Sequence, residues 1–154
     1  MTARIARLAA GVLGCLLLSS CQRGVTAYPV RGQVLVGGKP AVGATVVFHP
    51  ADAADPRALR PAGVVQEDGS FTLRSYDPQT CPTPMDGAPA GEYLVTVNWL
   101  PPDYAEYRNV LPDKLNGRYV DPKTSGLRAT VKPEPNDLPP FRLDAPPKPD
   151  GGRR

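Results

Sequence analysis

A chain of 154 residues with 20 Pro and 15 Gly is long enough for one domain and too proline-rich for a helical bundle, because each interior proline costs a helix about 3 kcal/mol. Hydrophobic residues make up 41% of it, sufficient for a single core. The net charge of +3 rests on the N-terminus: removing residues 1–20 takes Arg4 and Arg7 from the 18 basic side chains and nothing from the 15 acidic ones, leaving +1. No electrostatic case for a nucleic-acid partner survives that removal.

Residues 1–20 are expected to be a targeting segment. Arg4 and Arg7 form its basic start, and Leu8 to Leu18 is an uncharged, apolar run of 11 residues. That run is too short for a membrane-spanning helix, which needs about 20 apolar residues. The segment ends Leu18-Ser19-Ser20-Cys21. This resembles the lipobox of bacterial lipoproteins: an aliphatic residue, two small ones, then Cys. The resemblance implies cleavage before Cys21, a lipid on its thiol and an acyl chain on its new amino group. Several chains on one residue anchor stably where a single chain is marginal. An ordinary secretory signal cut near the same place is the alternative. Gln22 rather than Asp follows the Cys, which by analogy with proteobacterial lipoproteins favours the outer membrane over the inner one. With Cys15 removed and Cys21 lipidated, Cys81 has no partner, so the fold is not expected to rest on an internal disulfide. Cys81 then reads as a small hydrophobe or a loop thiol.

Residues 21–27 read as the lipidated Cys and a tether, 28–143 as a β-sandwich domain, and 144–154 as a disordered Pro/Gly-rich tail without a large apolar residue. Within the domain, period-2 alternation is the strongest signal. Val30, Gly32, Val34 and Val36 share one face of a first strand, and Gly37-Gly38 makes a hairpin turn. Ala44 to Phe48 is a second strand with Val46 and Phe48 on one face. Asp68-Gly69 predicts a second hairpin, between Gly63–Gln66 and Ser70–Arg74, with Phe71 and Leu73 inward. Tyr76 to Ala90, with four prolines, predicts a loop. Gly91 to Trp99 is the clearest strand, with Tyr93, Val95, Val97 and Trp99 on one face. Leu100 to Asp121 is irregular, Leu127 to Val131 alternates again, and Leu138 to Leu143 is a last, weakly marked strand. The expectation is an all-β fold: a seven-stranded antiparallel β-sandwich.

Val30-Arg-Gly-Gln-Val34, Gly38-Lys39-Pro40 and Gly43 to Pro50 resemble the opening of carboxypeptidase regulatory-like domains, also called transthyretin-like. Asp68 to Leu73 is similar to their central hairpin, and Gly87 to Val97 to the Gly-x-Tyr-x-Val-x-Val strand that follows. Leu111 to Leu127 resembles a segment of the small lipobox-bearing members found in planctomycetes, with an insertion around Leu115-Asn116-Gly117. The resemblance spans most of residues 28–131. It implies a prealbumin-like sandwich and no activity of its own, since such domains are generally accessory or structural modules.

The residues argue against an enzyme. His49 is the lone histidine, at a strand end with nothing nearby in sequence to complete a triad. The transthyretin-like hydroxyisourate hydrolase family uses several histidines, an arginine and a C-terminal Tyr-Arg-Gly-Ser. This chain ends Gly151-Gly152-Arg153-Arg154, so those sites do not carry over. His49, Cys81 and Met85 are one histidine short of a copper site, and Asp52, Asp55, Glu67 and Asp68 are too sparse for calcium. No cofactor or metal is expected. Trp99, Tyr104 and Tyr107 form the one aromatic cluster. They are candidate ligand-binding residues for carbohydrate or peptide, or else they close the end of the sandwich. The expected function is a non-catalytic, membrane-anchored, extracytoplasmic lipoprotein that scaffolds or binds envelope proteins or glycans. A binding module built on the Trp99–Tyr107 loop is the alternative.

Overall fold

The computed structural model describes residues 25–52, 58–77, 81–101 and 113–146. Cys21, Tyr104 and Tyr107 lie outside these residues. The strands are β1 (Ala27–Tyr28), β2 (Val30–Val36), β3 (Lys39–Pro40), β4 (Thr45–Pro50), β5 (Ala62–Val64), β6 (Ser70–Thr72), β7 (Arg74–Asp77), β8 (Cys81–Asp86), β9 (Ala88–Pro89), β10 (Gly91–Asn98), β11 (Leu127–Val131), β12 (Asn136–Asp137) and β13 (Phe141–Leu143). No helix occurs among the described residues.

A six-stranded sheet runs β11-β10-β4-β5-β7-β8, and β2 is the hub of a second sheet that includes β3, β6, β12 and β13. Both are open, and the architecture is β-sandwich-like. The short β1 pairs with β9. The alternation in sequence appears as burial: Val30, Val34 and Val36 of β2, Val46 and Phe48 of β4, and Tyr93, Val95 and Val97 of β10 all point into the core. Gly37 and Gly38 both take positive φ, 57° and 82°, the backbone of a two-residue hairpin, and Leu35 pairs with Pro40 across it.

Three expectations are corrected. The sheets are not wholly antiparallel: β12 and β13 pair with β2 in parallel, Phe141 opposite Val34 and Leu143 opposite Val36. A chain that has crossed to the other sheet can return beside its own first strand in either direction, and alternation specifies a face rather than a neighbour. The stretch 76–90 is not all loop, because β8 pairs with β7. Its prolines are tolerated on an edge strand, where an outward nitrogen has no ladder bond to make. The Asp68-Gly69 turn closes locally as a hairpin tip, Gly69 N–H donating to Gln66 O at 2.9 Å and Gln66 N–H to Ser70 O at 2.7 Å. Its two arms then part, β5 to the six-stranded sheet and β6 to β2. The turn is thus a link between sheets. Just past β13, Asp144 is held by Arg118 at 3.0 Å and its N–H donates to the Tyr119 hydroxyl at 3.2 Å.

The core is organised by aromatic rings. Phe48 of β4 faces Phe71 of β6 with ring centroids 6.4 Å apart, Tyr93 of β10 at 5.5 Å and Phe141 of β13 at 6.5 Å. Phe71 and Phe141 stack at 6.2 Å with planes 17° apart. Phe71 lies across Gly32 of β2, its cross-strand partner. A Cβ at Gly32 would stand 2.6 Å from the ring. Phe71 is fully buried, so Phe71→Ala is expected to destabilise the fold by about 3–5 kcal/mol, read as a lowered midpoint in urea with unchanged slope.

Candidate functional site

Of the candidate ligand-binding residues, Trp99 is described. It follows β10 directly and packs half-buried against the core. Its indole N–H donates to Val42 O at 2.8 Å, its backbone N–H to Asp113 Oδ1 at 2.7 Å, and its carbonyl accepts Lys114 N–H at 2.8 Å. The Lys114 ammonium sits over the ring, 4.8 Å from the centroid, a cation–π contact. Asp113 uses its second oxygen to accept Gly117 N–H at 2.9 Å. One carboxylate therefore ties the end of β10 to the turn 113–120. That turn in turn supplies Tyr119 O to Val97 N–H at 2.9 Å. Leu115 and Tyr119 from the same turn are buried in the core. Beside Trp99, Asn98 buries its Oδ1 without a hydrogen-bond partner among the described residues.

This organising role of Asp113 has a signal in the sequence: an Asp four residues before a Gly and three before an Asn, the residue types that hold a turn by side-chain to backbone bonds. Asn116 takes a positive φ of 54° there. Trp99 holds its position through these bonds, with little freedom to swing toward a ligand.

His49 Nε2 lies 3.0 Å from Thr96 Oγ1 on the neighbouring strand. Burial first, and the nearby Arg60 charge second, lower its pKa from the ordinary value of 6.5. The pair is a strand-to-strand hydrogen bond with no described carboxylate to complete a triad. Tyr93 donates its hydroxyl to Pro89 O at 2.7 Å, and burial pushes its pKa up to about 12. A cleft of about 420 Å³ opens beside this ring between Val25, Pro50, Leu59, Pro89 and Tyr93, with Asp52 and Glu92 at its rim. Among the described residues no three His, Cys, Asp or Glu side chains gather as a metal site would require. No protein-family model matches the chain, and no curated protein matches it in sequence.

Two outcomes are expected. Asp113→Ala leaves two backbone N–H groups without their charged acceptor, at about 1.5–3 kcal/mol. Because Trp99 is the sole tryptophan, a red-shifted fluorescence maximum reports the loosened end directly, and an unchanged maximum would show that the carboxylate does not hold it. For His49, a lowered folded pKa means that the unfolded chain binds the proton first. Its contribution to stability is complete above pH 6.5 and is lost as pH falls through the lowered folded value. Urea melts between pH 7.5 and 5 should show this decline, and His49→Gln should remove it.

Proposed function

We propose that the chain is a lipid-anchored, extracytoplasmic lipoprotein whose β-sandwich scaffolds or binds components of the cell envelope without catalysing a reaction. The observation that carries this reading is the joint pattern of Arg4, Arg7, the apolar run to Leu18 and Leu18-Ser19-Ser20-Cys21. It fits the start of the ordered strands, since β1 begins at Ala27, six residues past the Cys. Six residues of extended chain reach at most about 20 Å, so such an anchor would hold the domain close to the lipid surface. We read the sandwich as prealbumin-like, on the five motifs of residues 28–131 in family order. A non-catalytic role is supported by His49 being satisfied by Thr96 and by Trp99 being fixed by Val42 and Asp113.

Cys21→Ser tests the anchor. The wild-type chain is expected in the detergent phase of a Triton X-114 partition and the variant in the aqueous phase. A variant that still partitions with membranes after a salt wash would place the anchor elsewhere. Density fractionation of the wild type decides between the two membranes, with the outer one expected from Gln22.

A further inference from the structure

The two edges of the six-stranded sheet are finished differently. At one edge, β8 carries Pro82 and Pro84, which remove two N–H groups from the strand. Gly87 N–H donates to Leu73 O at 2.7 Å and Met85 pairs with Ser75, so Pro84 turns its nitrogen away from β7. A proline so placed stops another strand from adding there.

At the other edge β11 carries no such guard. Val97 N–H donates to Tyr119 O, and Val95 O accepts from Ser125 Oγ at 2.7 Å, whereas Glu92 O accepts Ala51 N–H on the β4 side. Odd-numbered residues of β10 therefore turn their backbone groups toward β11. Ala129 stands opposite Tyr93, so Leu127, Ala129 and Val131 bond inward to β10 while Arg128 and Thr130 turn theirs outward. Neither residue has a backbone partner on that side among the described residues. The next outward position is closed: Lys132 N–H donates to Asn136 Oδ1 at 2.9 Å, and Asn136 Nδ2 donates to Lys132 O at 3.1 Å. The open edge is thus two residues long, with four backbone groups.

Beside it lies a groove of about 280 Å³, with Ala129, Leu138 and Phe141 as its apolar lining and Arg128, Thr130 and Pro139 at its rim. A strand added to β11 would set the side chain opposite Ala129 into this groove. A second copy of the chain is poorly suited to the place. Antiparallel pairing centred on Ala129 brings methyl against methyl and leaves the groove unfilled. Centred on Arg128 it opposes two guanidinium groups, and centred on Thr130 it opposes Arg128 to Lys132. Registers shifted by one residue turn the apolar face outward. Arg128 itself is exposed and makes no ion pair among the described residues.

We propose that the β11 edge receives an extended segment of another protein by antiparallel strand addition, with a large apolar side chain entering the groove opposite Ala129 and an acidic side chain opposite Arg128. Main-chain bonds to Arg128 and Thr130 supply attachment, and the groove and the guanidinium supply selectivity. This deepens the binding role proposed above and rests on it for a partner in the envelope. The strand addition itself does not depend on Cys21.

The test is fluorescence polarisation of the full-length protein in detergent with a labelled nonapeptide, Ser-Thr-Val-Thr-Leu-Glu-Val-Thr-Ser, titrated to about 1 mM protein. Saturable binding is expected, weakened about tenfold or more when the central Leu becomes Ala or the Glu becomes Lys. Thr130→Pro removes an outward N–H and no ladder bond to β10, only the exposed side-chain bond from Thr130 Oγ1 to Glu92 Oε1 at 2.7 Å, and should abolish binding. Arg128→Glu, an exposed change that leaves the ladder intact, should reverse the preference toward the Lys peptide. Absence of saturable binding, indifference to the Leu→Ala change, or an unaltered charge preference in Arg128→Glu would each overturn the proposal. So would self-association of the wild type that Thr130→Pro removes, since the occupant would then be a second copy. Loss of the anchor is read separately by the partition of Cys21→Ser, so failure of that reading leaves a different signature.

Discussion

The contact on which the rest of the structure depends is the seat of Phe71 on Gly32. All 3 phenylalanines of the chain meet in one cluster, and Phe71 is the member that carries the second sheet onto the first. Its ring occupies the space where any other residue at position 32 would place a Cβ. The glycine costs β2 some conformational entropy and a packing group. The ring laid across it restores the packing and covers the strand backbone. From that seat Phe71 reaches Phe48 across the sandwich and stacks on Phe141 of β13. The parallel strand β13, which local sequence marks weakly, is therefore located by a ring contact as much as by its own ladder.

The legible parts of the fold were those in which one strand decides its own burial. In β2, β4, β10 and β11, alternation of Val, Phe and Tyr with polar residues gives the inward face directly. What alternation leaves open is partnership. Nothing in Asn136–Leu143 states that it runs parallel to β2, because the same pattern satisfies either direction. Proline forbids a central strand, yet at an edge such as β8 it costs no bond, so the prolines of 76–90 do not by themselves mark a loop. Of the candidate cluster Trp99, Tyr104 and Tyr107, Trp99 lies among the described residues. The element that fixes Trp99 was missed because Asp113 acts through backbone N–H groups. Such bonds leave only the weak trace of Asp, Asn and Gly at turn spacing.

Charge is used in this molecule mainly to hold ends. Asp113 gathers the end of β10, Asp144 is drawn by Arg118 to close the C-terminal strand, and Asp68 fixes its turn by accepting Ser70 N–H at 2.8 Å. Hydrogen bonding by the Ser70 side chain first, and by this backbone N–H second, keeps the Asp68 carboxyl below its ordinary pKa. The ion pairs themselves are exposed and individually worth little. Their effect is geometric, since each sits where a strand leaves a sheet and the chain would otherwise fray.

Strand β10 also orders the molecule along its length. Tyr93, near its start, is bonded to Pro89, and Pro89 pairs with Ala27 of β1, the first described strand. Trp99, past its other end, lies six residues on, about 20 Å away along an extended strand. The chain entry and the Trp99–Lys114 end are thus opposite poles of one central strand. Under the proposed anchoring at Cys21, the cleft beside Tyr93 stands toward the lipid and the Trp99 pole away from it. The open edge at Arg128 and Thr130 lies level with the Tyr93 pole, since Thr130 is the partner of Glu92, Ala129 of Tyr93 and Arg128 of Leu94. It is the outer side of β11, whereas the chain enters through the β1–β9 pair, so an extended segment and the tether approach this pole along different strands.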